Sequence, residues 1–221
     1  MKGSNLHTIE VFKFIDTKYL NTMKNFILLS FILLVFHKNY GQNAIPSAAD
    51  QIKATLQAAP EEKREQATVL GYDQKGNLVT LKAGSNEFIC LADDPQKEGF
   101  SAACYQKDLA DFMARGRELS AEGKNENQNF EIREAEAKSG KLKMPDHPST
   151  LYILYGKDAK YNPAKGVVEH SNLRWVVYIP WATAESTGLP TKPMVDGGPW
   201  IMFPGTHKAH IMITPPWPKE D

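Results

Sequence analysis

The run from Phe26 to Phe36 sets the first limit on what this chain can fold into. It is eleven residues long and apolar except for Ser30, with Lys24 before it and His37, Lys38 and Asn39 after it. A helix that crosses the hydrocarbon core needs about 20 apolar residues, so the run is too short to span. It also lacks the polar face that a helix packed on a small core would show. Its length and flanks are those of a signal-peptide h-region, with Met23-Lys24-Asn25 as the n-region. We therefore expect residues 23–42 to be a signal peptide that sends the chain to the periplasm or outside the cell. An n-region is short, and Glu10, Asp16 and several aromatics sit badly in one. Residues 1–22 are read as a non-native extension upstream of a true start at Met23. Residues 43–221 are left to fold as one mature domain, which by length can bury a real core.

Removing the leader changes the electrostatics. Residues 1–42 hold five lysines against two carboxylates, so the zero net charge of the whole chain becomes about −3. A mildly acidic domain with no clustered basic face excludes nucleic acid as a partner. No stable membrane span is expected once the leader is cleaved. The chain has two cysteines, Cys90 and Cys104, and export places both in an oxidising compartment where pairing is the default. Such a bridge would stabilise the fold by roughly 3 kcal/mol in the chain-entropy view.

Ser47-Ala48-Ala49-Asp50 resembles a capping box, and Ala49, Ile52, Leu56 and Ala59 follow at helical spacing until Pro60. Three short strands are expected next: Thr68 to Tyr72, Leu78 to Lys82 and Phe88 to Leu91, joined by polar turns as a meander. Leu109, Phe112, Met113, Gly116 and Leu119 mark one face of a second helix that stops at Gly123. The polar segment Asn125 to Ser139 reads either as a helix or as an exposed excursion. Leu151 to Tyr155 and Trp175 to Ile179 read as buried strands, and Trp200 to Phe203 with His210 to Thr214 as a hairpin. Strands and helices segregate instead of alternating, which gives an α+β class: one domain, a mainly antiparallel curved sheet and about two packed helices.

Several blocks resemble a family of uncharacterised secreted bacterial proteins. They are Ala67–Asp73 (ATVLGYD), Phe88–Pro95 (FICLADDP), Cys104-Tyr105, Phe112–Leu119 (FMARGREL), Gly197–Met202 (GGPWIM), Gly205-Thr206 and Ala209–Met212 (AHIM). The resemblance spans roughly residues 50–214 and implies a shared exported domain, with no activity attached. Related sequences carry Pro-Tyr where this chain has His207-Lys208, which makes His210 the better functional candidate of the two histidines.

No GxSxG elbow, HExxH, GxxxxGK[ST] or GxGxxG is present, which lowers the case for several large enzyme classes. The sharpest local feature is His207-Lys208-Ala209-His210. Two imidazoles three apart can share a metal in a tight turn, with His170, His147 or Asp196 as a third ligand. More often such residues are a loop histidine and a hydrogen-bonded strand histidine. Asp196-Gly197-Gly198-Pro199-Trp200 is either a turn into a strand or a pocket rim. In the second case Asp196 and His210 are an acid/base pair, and Arg174, Trp200, Gly197 and Gly198 bind the ligand. Trp175 and Tyr178 are expected in the core, Trp181 and Trp217 at the surface. Two functions follow. The chain is a module of the cell envelope that binds a small molecule or an envelope partner. The alternative is a hydrolase-like, metal-dependent enzyme sited around Asp196, Arg174 and His210.

Overall fold

The computed structural model describes residues 44–217. The expected signal peptide and the upstream extension lie outside the described residues. The fold is α+β in a single domain. Eight strands form one mostly antiparallel open sheet in the order β2-β1-β3-β4-β5-β8-β10-β9. In chain order the strands are β1 (Thr68–Tyr72), β2 (Leu78–Lys82), β3 (Phe88–Leu91), β4 (Phe100–Gln106), β5 (Ser149–Gly156), β8 (Asn172–Tyr178), β9 (Trp200–Met202) and β10 (His210–Ile213). A separate small hairpin is built from β6 (Lys160–Asn162) and β7 (Val167–Glu169). Five α-helices are described, three of them longer than one turn: α1 (Ala48–Leu56), α3 (Ala110–Ala121) and α4 (Glu126–Lys138). The short ones are α2 (Glu61–Arg64) and α5 (Ala184–Thr187). Among the described residues no helix is long and apolar enough to cross a membrane.

Local chemistry explains the helix starts. Ser47 Oγ accepts the Asp50 backbone N–H at 3.1 Å and gives its own proton to Asp50 Oδ2 at 2.7 Å, so the box is half formed. Asn125 and Gln128 form a full capping box, which turns the polar segment after Gly123 into α4. Gln51 is buried in α1 and ties that helix to β1. Its amide donates to Tyr72 O at 2.8 Å and accepts from Tyr72 N at 2.8 Å.

The sheet carries a core on each face, because side chains alternate along every strand. On one face Val69, Phe88, Cys90, Cys104 and Leu154 pack against Ala54, Ala58 and Ala59, with Val168 from the small hairpin. On the other face Tyr105, Leu151, Val176 and Tyr178 pack against Leu109 and Phe112. Cys90 and Cys104 are paired in the β3–β4 register and form a disulfide, fully buried under α1.

The expected meander is corrected in its third strand. β2 does pair antiparallel with β1, but β3 pairs with the other side of β1, parallel to it, through Thr68↔Ile89 and Val69↔Cys90. The segment from β2 to β3 crosses over the start of β1, where Ser85 and Asn86 donate their N–H groups to Gln66 O at 2.8 and 3.1 Å. Gly84 makes the crossing possible. A Cβ there would lie 2.3 Å from Ala67 C and 2.3 Å from Thr68 N, both backbone atoms that cannot yield. Gly84→Ala is expected to destabilise by about 2 kcal/mol through overpacking, measured by chemical denaturation. An unchanged midpoint would show that the crossing tolerates a side chain.

Candidate functional site

Two loops are knotted together at one end of the sheet. The loop 203–209 joins β9 to β10, and the segment 179–183 leaves β8. Ile179 N–H donates to Ala209 O at 3.0 Å, Trp181 N–H to Thr206 O at 2.8 Å and Gly205 N–H to Ala182 O at 2.7 Å. Within this knot Trp181 (φ 68°) and Phe203 (φ 52°) both occupy the left-handed region. Bulky residues are held there only where surrounding bonds over-determine the backbone.

His207 sits inside the knot and is fully buried. Its ring Nδ1 is hydrogen-bonded to the Glu134 carboxylate on α4, and its backbone N–H donates to Glu134 Oε2 at 3.0 Å. Lys138 Nζ holds the other carboxylate oxygen at 2.8 Å. Phe112 and Phe130 flank the ring at centroid distances of 5.7 and 5.0 Å. The Arg133 guanidinium lies over the Phe112 ring, 4.2 Å from its centroid. Burial pushes the His207 pKa below the usual histidine range, outweighing the pull of Glu134. Burial alone would raise the Glu134 carboxyl, but hydrogen bonds from Lys138 and from the backbone and ring of His207 hold it down to about 2. The imidazole is therefore neutral and donates from Nδ1, while its Nε2 is buried with no partner among the described residues.

His210 has a different partner. Its Nδ1–H donates to Lys208 O at 2.7 Å, and its ring lies 5.2 Å from Tyr178 and 5.9 Å from Phe203. Burial lowers its pKa as well. The two histidines of the motif thus hold separate bonds, one to α4 and one to its own loop. Among the described residues no group of three or more His, Cys, Asp or Glu side chains is placed to hold a metal ion.

The Asp196 turn lies at the far end of the β9–β10 hairpin from His210. His210 is opposite Met202, whereas Trp200 is opposite Met212. Gly197, at φ 77°, lies beyond Trp200, where a Cβ would be 3.2 Å from Pro216 Cδ and 3.3 Å from Pro215 Cα. Gly198 N–H closes the turn on Val195 O at 2.9 Å. Asp196 is exposed there. At about 3.3 Å per strand residue, the structure does not bring Asp196 to His210. Arg174 shares the sheet face of Tyr178 and His210, four residues along β8 from Tyr178 or about 13 Å of backbone, and its charge adds to the lowering of the His210 pKa. Its guanidinium lies 4.7 Å from the Tyr155 centroid, Tyr155 meets Trp217 edge-on at 5.6 Å, and Arg174 Nε is buried without a partner among the described residues.

The knot also builds the wall of a cleft of about 580 Å³. Trp181 stands on one side, 40% exposed. Lys107, Asp108 and Asp111, at the start of α3, form the second side. The end of α4 and the segment from Leu142 to His147 close the rest. His147 is held in place from both ring nitrogens: Nδ1 lies 2.9 Å from Asp146 Oδ1 and Nε2 lies 3.1 Å from Asp108 Oδ2. Its hydrogen bond to Asp146, followed by the charge of Asp108, raises its pKa. Three carboxylates, Asp108, Asp111 and Asp146, therefore face two lysines, Lys107 and Lys143, and a histidine that gains charge readily. Sequence reasoning had Trp181 as a surface residue and His147 as a ligand candidate. It missed Lys107, Asp108, Asp111 and Lys143, which carry no local motif and converge only through packing. It also missed Glu134, whose signal was the Asn125-to-Gln128 box that places α4.

In comparisons with known proteins the chain matches no family model, no curated protein and no solved structure.

Proposed function

We propose that the chain is an exported ligand-binding module whose binding site is the cleft under Trp181. One observation carries this reading: Trp181, 40% exposed and on a backbone fixed by its left-handed φ and its amide bond to Thr206 O, lines a cleft that also gathers charged side chains. A volume of about 580 Å³ lies within the range of small-molecule sites. The short apolar run before residue 37 and the buried disulfide support the export half of the proposal. The hydrolase reading centres on Asp196, Arg174 and His210, whereas the general-base arrangement this fold offers is a different one, Glu134 behind His207 Nδ1. That ring is fully buried and out of reach of a substrate, so binding is the better supported function.

A fragment set screened by NMR against the mature chain tests the proposal. Shifts are expected at Trp181, Lys143 and His147. Trp181→Gly removes the indole while suiting the left-handed backbone. It should change stability by no more than about 1 kcal/mol and weaken binding about tenfold. Ligands that bind elsewhere, or with equal strength to Trp181→Gly, would overturn the assignment.

A further inference from the structure

We infer that the ligand of this cleft is a neutral, hydroxyl-rich saccharide ring that stacks on Trp181; this deepens the binding-module reading and rests on it. The inference comes from the balance of the lining groups. Carboxylates only accept hydrogen bonds, and lysines only donate them. Asp108 and Asp111 stand in the same cleft as Lys107 and Lys143, so a ligand that fills it must offer donors and acceptors together. A sugar hydroxyl does both at once. An anion would face the carboxylates, a cation would face the lysines and His147, and an apolar molecule would strip water from all of them.

Trp181 adds a flat ring to the apolar side of the cleft, where Leu142, Met144 and Pro145 also stand. The indole is a large flat apolar surface, and a pyranose ring presents a patch of C–H groups on one face and hydroxyls around its edge. The geometry is also set in advance. The Trp181 backbone is held by its amide N–H on Thr206 O, and the His147 ring is held at both nitrogens by Asp108 and Asp146. A backbone and an imidazole already held lose little freedom on binding. A zwitterion would satisfy the charges but leave the indole without a partner.

The test uses the mature chain and two probe panels, followed by calorimetry and by NMR at the cleft. The neutral panel holds short cello-, malto- and chito-oligosaccharides; the charged panel holds citrate, spermidine and glycine. At least one neutral oligosaccharide is expected to bind, with affinity changing less than about twofold between about 50 and 500 mM salt. Trp181→Gly should weaken it about tenfold, Trp181→Phe should restore most of the loss, and Asp111→Asn should weaken it several-fold. Trp217→Ala should leave it unchanged. If only a charged probe binds the cleft, with affinity falling steeply in salt, the saccharide inference is overturned while the binding site stands. If no probe of either panel shifts the cleft, the saccharide inference fails. If the fragment set is also silent there, the binding-module reading fails with it.

Discussion

Replacing Glu134 by alanine is expected to lower the unfolding free energy by about 3 kcal/mol. The carboxylate accepts both the ring and the backbone N–H of His207, inside a site closed by Phe112 and Phe130. Alanine leaves two buried donors without an acceptor, each costing about 1–3 kcal/mol. Glu134→Gln keeps an acceptor oxygen and should lose less than half as much. The pH dependence separates this account from a simple loss of packing. Glu134 is held near 2 in the folded chain, below its unfolded value near 4.5, so its contribution is fully present above pH 4.5. It fades as pH falls from about 4.5 towards 2, because the unfolded state then binds the extra proton. The burial-depressed His207 and His210 act in the same direction from pH 6.5 downwards. The stability gap between wild type and Glu134→Ala, followed by urea unfolding across pH 7 to 3, should therefore narrow below pH 4.5. A gap that stays constant with pH would refute the role given to the ionised carboxylate.

The double substitution Cys90→Ala with Cys104→Ala should cost about 3 kcal/mol or more. The bridge joins residues 14 apart in sequence, directly opposite each other on β3 and β4. Without it the unfolded chain regains the freedom of that loop. The two sulfurs also fill space between the sheet and Ala54 and Thr55 of α1, so their loss adds a packing deficit. Thermal unfolding of the purified double variant against wild type measures the sum. A variant that unfolds at the wild-type temperature would show that β3, β4 and α1 hold together without the bridge.

These two sites were not equally legible. The cysteine pair could be named from composition, since two cysteines have one way to join within a chain. His207 and His210 could be named as a motif, but their partners could not. Glu134 is 73 residues from His207, on a helix whose exposed face is charged and whose apolar stripe is thin. Nothing in the 3.6-residue pattern distinguishes a glutamate that faces solvent from one that a distant loop will bury. The same holds for Asp108 and Trp181, which belong to elements with no shared periodicity.

What the sequence determined by itself was local and repetitive. It specified seven of the eight strands of the large sheet, because alternation and turn residues act over a few positions; β4 and the small β6–β7 hairpin it did not specify. It specified the start of α1, because the Ser47 cap needs only three or four residues. The α+β class followed from the order of those elements. Tertiary structure alone decided that β3 crosses to the far side of β1, because the decision rests on Gly84 clearing the backbone of Ala67 and Thr68. It alone decided that Asp196 and His210 stand at opposite ends of a hairpin, and that Lys107, Asp108 and Asp111 meet Trp181 in one cleft. The physical reason is the same in each case: backbone preferences are set by neighbours in the chain, whereas burial and partner choice are set by whichever distant surfaces the packed sheet brings together.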